Sequence, residues 1–350
     1  MNYDALSRPA TDPVTIFEHF RGNYATELLT AAIVEFQLFD KLRTPKNSDQ
    51  LRQEVGLKPR PFVVLTTALR AMGLLQLDTR GDLSLTPLSQ EHLLPGGNFF
   101  VGDYVGLAAQ SPGVRAMIER LKTNRPAGGE DKKDGAAFIF REGVESAMED
   151  EQKARHLTLA LAGRAKNVAP HLAAKLDLTH GETLLDIGGG TGIYSIACLQ
   201  KYPRLKAIIY DRPEVLKVPR EMGQSYGVAE RMEFVSGDMF ADSLPLNANV
   251  ILLSNILHDW DVPECRRLIA NCVKALPPNG QLVVHDVFLN DALDGPLAVA
   301  LYSAALFTMT EGRAYSVQEY TQWMTESGLR VKPKIDTLIH AGFLTGLKSL

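Results

Sequence analysis

The sequence predicts an α/β protein in two parts, a mostly parallel sheet wrapped by helices and a mainly helical segment ahead of it. Three observations carry this. From Glu182 onward, apolar strand-like runs alternate with helical stretches, and such alternation implies a parallel sheet covered on both faces. Before Glu182, helical periodicity is interrupted mainly by one strand-turn-strand pattern. Between the two, "TLLDIGGGTGIYS" (183–195) passes from an apolar strand through glycines into a helix.

The elements follow in order. Residues 14–42 are helical, with Leu28, Leu29, Ala32, Ile33 and Phe36 on one face. "NSDQLRQEVG" is a short helix, capped near Asn47 or Ser48 and stopped by Gly56. "RPFVVLTTALRAMG" is a further helix, ended by Gly73, and "LLQLD", "TRGD" and "LSLT" read as strand, turn and strand. Helices and a hairpin in this order describe a winged helix-turn-helix. A winged helix raises DNA binding, and a ligand-sensing regulator is one reading of the chain. Its would-be recognition helix, however, has only Arg60 and Arg70 among Phe62, Val63, Val64, Leu65, Leu69 and Met72. A reading helix needs polar side chains for base edges and cations for phosphates. An interaction module is the better expectation.

Residues 123–135, rich in glycine and charge, are expected to form a surface loop, and helical segments from about Gly143 to Leu176 lead to the glycine turn. Five strands follow, at Thr183–Ile187, Lys206–Tyr210, Met232–Val235, Val250–Ser254 and Gln281–Phe288. Residues 330–336 and 338–348 read as two tightly joined strands, an antiparallel pair that completes a seven-stranded sheet. The expected domains are residues 1–95, a helical linker at 96–178, and 179–350.

Composition excludes some classes of function. A net charge of −4 supplies no basic field for nucleic acid or anionic lipid. The N-terminal "MNYDALSRPATDPV" lacks the apolar run of a signal peptide. The stretch Pro296 to Thr310 is shorter than the roughly 20 apolar residues of a membrane span. Cys198, Cys265 and Cys272 form no CxxC motif and have no neighbouring histidine that would complete a metal site. They read as buried thiols of a cytoplasmic protein.

The glycine turn then indicates its ligand. A dinucleotide fingerprint wants G-x-G-x-x-G, but after Gly188 and Gly190 the third position is Ile193. The pattern is D-x-G-x-G-x-G, from Asp186 to Gly192. A pyrophosphate here would meet the Asp186 carboxylate, and like charges in a half-buried site repel strongly. S-adenosylmethionine has no phosphate and carries an ammonium and a sulfonium, which such an acid favours. Asp211 ends the second strand, where a carboxylate can accept both ribose hydroxyls. Asp238, in "SGDMF", is placed to accept from the adenine amino group while Met239 covers the ring.

The fourth strand runs into "SNILHDWDVPEC". Asp261 and Glu264 look like a capping box for the next helix, so Asp261 is structural. His258 precedes that cap, in the crevice where open α/β sheets bind ligands. Asp286 ends the fifth strand and can accept from one imidazole nitrogen, leaving the other as a base. His285 points to the opposite face and reads as core.

"LDIGGGTG", "GDMF", "ILHDWD", "ALPPNGQLVV" and the winged-helix start make the chain resemble, over nearly its whole length, the plant caffeate-type and bacterial small-molecule O-methyltransferases. The resemblance implies a class I, S-adenosylmethionine-dependent, metal-independent enzyme with a Rossmann-like seven-stranded sheet. It also implies a winged-helix dimerisation domain, forming an intertwined homodimer and helping to close the partner's substrate site. Carried over by position, Gly188, Gly190, Asp211, Asp238 and Met239 bind the cofactor and His258 is the base. Ser254 stands where a lysine often precedes the histidine by four, and is placed with the cofactor set. Asp286 replaces a frequent glutamate. Where the plant enzymes have a further glutamate in "GKERT", this chain has Ala314 in "GRAYS". Tyr302, Leu306 and Met309, at i, i+4 and i+7, are either core or a wall of the acceptor pocket.

The expected reaction moves a methyl group to a hydroxyl of an aromatic or polyketide-like small molecule, leaving S-adenosylhomocysteine. C-methylation, or the non-methylating chemistry of some relatives, is the alternative. No nucleic-acid or membrane partner is expected.

Overall fold

The computed structural model of the chain describes residues 3–125 and 151–349. Residues 126–135 of the expected loop and 143–150 of the expected helical stretch lie outside the described residues. The N-terminal helices are α1 (Val14–Phe20), α2 (Asn23–Val34), α3 (Leu38–Lys41), α4 (Ser48–Glu54) and α5 (Pro59–Ala71). The hairpin β1 (Leu75–Leu77) and β2 (Leu83–Leu85) comes next, then α6 (Pro87–His92), α7 (Gly102–Gly106) and α8 (Pro112–Thr123). The long α9 (Glu151–Lys175) leads into β3 (Thr183–Ile187), α10 (Ile193–Lys201), β4 (Lys206–Asp211), α11 (Lys217–Ser225) and β5 (Met232–Ser236). After them run β6 (Val250–Ser254), α12 (Val262–Ala275), β7 (Gln281–Leu289), α13 (Leu297–Met309) and β8 (Tyr315–Ser316). The chain closes with α14 (Val317–Glu326), β9 (Leu329–Val331), β10 (Ile335–Asp336) and β11 (Ala341–Lys348).

Contacts within the chain group it into two units. One contains residues 16–125 and 289–316, the other residues 3–15, 151–288 and 317–349.

In the helical unit the predicted helix over 14–42 is broken twice. The chain turns at Arg21–Gly22, and again at Gln37, whose φ of 46° is left-handed and cannot continue a helix. Asn47 caps α4 by accepting from the Gln50 amide at 2.8 Å, and Gly56 and Gly73 end the helices before them at positive φ. Leu28, Phe39, Leu65, Leu69, Met117 and Leu121 are buried together, and Ala304 and Phe307 of α13 join them. Arg60 of α5 is buried. It donates to Asn124 Oδ1 at 2.9 Å and to the carbonyls of Thr310 (2.9 Å) and Gly312 (3.2 Å). Arg70 donates to the Ala292 carbonyl at 2.5 Å. Both cations of the would-be recognition helix are thus engaged within their own unit.

In the other unit the strand order is β10-β11-β7-β6-β3-β4-β5, with β9 also pairing with β11. Pairing is parallel from β5 through β7 and antiparallel at β11, as predicted. The predicted strand over 330–336 is instead two short pieces along one edge of β11. Pro333 separates them, because proline has no N–H for the ladder. The chain leaves β3 outward through β4 and β5, then returns to β6 on the other side of β3. That reversal opens a crevice beyond the carboxyl ends of β3 and β6, which is where ligands bind in such sheets.

Candidate active site

β3 ends at this crevice and delivers the glycine turn. Gly188 has φ +65°, and its amide donates to the Tyr210 carbonyl at 2.8 Å. A Cβ there would lie 2.4 Å from Ile256 Cδ1 and 3.7 Å from Met239 Cε. Glycine is therefore required both by backbone conformation and by space, and the turn is in reach of Met239 and of the loop that carries His258.

Two buried acids stand around the turn. Asp186 is 1% exposed and accepts from Ser195 Oγ at 2.6 Å, which ties β3 to the first turn of α10. Burial pushes its carboxyl up to about 7, against the Ser195 bond and with the Asp211 charge adding. Asp211, at the end of β4, accepts from the amides of Gly190 (2.8 Å) and Arg212 (2.7 Å). Burial raises it to about 6 in spite of those bonds. Asp238 is exposed, and its Oδ1 accepts from the amides of Phe240 (2.8 Å) and Ala241 (3.3 Å), closing its own turn. Met239 beside it is half-buried. Ser254 is occupied within the fold: its hydroxyl pairs with His285 Nδ1 at 2.8 Å and accepts from Asn255 Nδ2 at 3.2 Å.

His258 lies in a short turn after β6 and is 4% exposed. Its Nδ1 is 2.5 Å from Asp286 Oδ1. Asp286 does not end its strand as expected but lies within β7, which runs on to Leu289 because Val287, Phe288 and Leu289 continue the apolar run. The same Oδ1 accepts from the Val287 amide at 2.8 Å, and Oδ2 accepts from the Tyr320 hydroxyl at 3.0 Å. Burial alone would raise Asp286, but the His258 charge and these bonds hold its carboxyl below the usual range. On the other side, Asp259 Oδ1 is 3.6 Å from His258 Nε2. His285 is fully buried against Tyr194, and burial lowers its imidazole to about 3, as suits a neutral core residue. Asp261 caps α12 by accepting from the Val262 amide.

Comparison with known proteins decides the family. Residues 133–330, more than half of the chain, match the model of the O-methyltransferase domain. The chain belongs to this O-methyltransferase family. It is 32% identical over 319 residues, 90% of this chain and 89% of the relative, to the 3-hydroxy-5-methyl-1-naphthoate 3-O-methyltransferase of Streptomyces sahachiroi. It is 29% identical to the tetracenomycin polyketide synthesis 8-O-methyl transferase of Streptomyces glaucescens, covering 90% of this chain and 91% of the relative. Among solved structures, an O-methyltransferase family 2 protein from Planctomyces limnophilus in complex with apigenin is similar at TM-score 0.89 and 44% identity, covering 99% of each chain. The fold is that of this family and the cofactor is S-adenosylmethionine.

Further residues that the sequence did not single out lie near these groups. Thr158 of α9 has a buried hydroxyl without a partner among the described residues, and its Cγ2 is 4.0 Å from where a Gly190 Cβ would lie. Arg164, two turns further along α9, donates to Asn255 Oδ1 at 2.9 Å and so brings a cation to the end of β6. Asp259 was visible inside "LHDWD" but not its approach to Nε2. Tyr320 gave no signal, since an aromatic on an amphipathic helix reads as core. In the helical unit, Leu306 is buried, Tyr302 is half-buried with the Arg21 guanidinium 3.8 Å from its ring centroid, and Met309 is 37% exposed.

Proposed function

We propose that this methyltransferase methylates a phenolic hydroxyl of an aromatic or polyketide-like small molecule, with His258 as general base. The carrying observation is the 2.5 Å pair between His258 Nδ1 and Asp286 Oδ1. With Asp286 as acceptor, the proton sits on Nδ1 and the Nε2 lone pair is left for the substrate. A phenol near pKa 10 is mostly protonated at neutral pH, so its oxygen needs a base as it attacks. Relatives named for a hydroxynaphthoate and for tetracenomycin, and a structure holding apigenin, support an acceptor of this kind.

The residues around the glycine turn fit a cationic, phosphate-free ligand. Two buried carboxylates, Asp186 and Asp211, would repel a polyphosphate and favour a cation. When bound, S-adenosylmethionine supplies an electrophilic methyl on a sulfonium. Asp211 would take the ribose hydroxyls, Asp238 the adenine amino group and Met239 the ring face. Gly188 and Gly190 allow close approach, Asp186 favours the positive charge, and Arg164 is placed for the carboxylate. Ser254 belongs to the supporting network around Asn255. Tyr302, Leu306 and Met309 are assigned to the acceptor wall, for which the apolar surface of Tyr302 and Met309 on one helix face is the support. Residues 1–95 are assigned to a homodimer interface. Ile16 and Phe20, 70% and 79% exposed, are apolar side chains that a second copy would cover.

His258→Ala tests the reading with a panel of phenols. S-adenosylhomocysteine affinity should be retained while methyl transfer falls by about 10²–10⁴-fold. An unchanged rate in the folded variant would overturn the assignment of the base.

A further inference from the structure

In this methyltransferase Asp286 Oδ1 meets His258 Nδ1 at 2.5 Å. An aspartate side chain held at one oxygen turns easily, because rotation about its last bond is broad and nearly twofold. Asp286 is held at both. Oδ1 is bonded to His258 and to the Val287 amide, and Oδ2 to the Tyr320 hydroxyl. Tyr320 is itself fully buried on α14, with its ring edge-on to Phe288 (centroids 5.6 Å apart) and to Trp323 (5.5 Å). The hydroxyl cannot swing away without unpacking that cluster.

We propose that Tyr320 is a positioning residue of methyl transfer: its hydroxyl locks the Asp286 carboxylate in the orientation that keeps His258 Nδ1 protonated and Nε2 basic. The inference rests on His258 as base. In the step it serves, the acceptor's O–H proton passes to Nε2 as the oxygen–methyl bond forms. The carbon–sulfur bond breaks, and its electron pair stays on sulfur. Tyr320 touches neither substrate nor cofactor in this scheme and acts only through Asp286. It also keeps the buried carboxylate ionised, since each donor facing it offsets the loss of water.

Tyr320→Phe removes the hydroxyl and keeps the ring. We expect kcat to fall about 10-fold, the scale of one hydrogen bond to a charged group. Acceptor KM and S-adenosylhomocysteine Kd should stay within about twofold, because no binding contact is lost. In an Asp286→Asn background the same change should add little, since both residues act through one carboxylate. A packing role would instead reduce the rate equally in both backgrounds. Incorporating 4-aminophenylalanine at position 320 returns an N–H donor on the same ring and should restore most of the rate. Should the Phe variant fail to fold, 4-methylphenylalanine fills the hydroxyl's volume without a donor and should show the same loss. A wild-type kcat in a variant lacking the donor, or a full additional loss on Asp286→Asn, overturns the proposal while leaving His258 as base. An unchanged rate in His258→Ala overturns the reading beneath it.

Discussion

Asp259 is buried 3.6 Å from His258 Nε2, and burial lifts its carboxyl to about 7, partly offset by His258 and reinforced by Asp286. It ionises as pH rises through that value, and its negative charge then favours the imidazolium formed when Nε2 takes the acceptor's proton. The rate should therefore show a rising limb near pH 7 that Asp259→Asn flattens; an identical profile would remove Asp259 from the chemistry. Asp186 and Asp211 bear on stability in the same way. Their folded pKa values, about 7 and about 6, lie above the value of 3.8 expected without the fold. The stability they contribute is complete below pH 3.8 and is lost as pH climbs through 6 to 7. Asp186→Asn should accordingly stabilise the free protein at pH 8 by about 1–3 kcal/mol while weakening S-adenosylhomocysteine binding. Matched melting curves and binding isotherms would show it. A destabilised variant would mean that the Ser195 bond outweighs the buried charge. Asp186 and Asp211 were legible because motif spacing places them at the ends of β3 and β4, whereas the approach of Asp259 to His258 was not. Nor was Tyr320, because α14 meets Asp286 only once the chain is folded.

Two elements behave otherwise than their local sequence suggests. α5 has the position of a recognition helix, yet Arg60 points inward to Asn124, Thr310 and Gly312, with Phe307 packed against its guanidinium. Arg60→Ala would leave those buried carbonyls without a donor and should destabilise the fold by about 2–4 kcal/mol, measurable by urea titration. A loss below about 0.5 kcal/mol would indicate a merely surface role. α13, apolar on all sides, follows β7 in sequence but places Ala304 and Phe307 in the core of the helical unit. Its periodicity could not reveal this, since a helix that is hydrophobic all round has no face that names its partner.

At the scale of the whole chain, the helical unit is assembled from two distant segments. Deleting residues 1–90 should expose Met117, Leu121, Ala304 and Phe307 and cause aggregation, with loss of acceptor turnover. A soluble, fully active truncation would show that the segment is dispensable. The intact protein should sediment at twice the chain mass if the exposed Ile16 and Phe20 are covered by a second copy. S-adenosylhomocysteine at 100 times its dissociation constant should stabilise the fold by about 2.7 kcal/mol, whereas NAD should not. A shift with NAD alone would contradict the reading of the acid beside the glycine turn.

The sequence by itself determined the alternation of strands and helices from Glu182 onward and carried the motifs by which the family is recognised, and it singled out the acids and histidine proposed for the crevice. Period-2 and period-3.6 patterns, glycine spacing and an ill-placed charge for phosphate are all local properties. The tertiary structure alone decided which nitrogen of His258 is held, because Asp286 and Tyr320 reach it from β7 and α14. It also decided where Ser254 is spent, where the Arg60 charge goes, and that residues 289–316 join the N-terminal core. Each of these depends on side chains separated by tens to hundreds of residues meeting in space, and no local pattern records which distant group will satisfy a buried donor or acceptor.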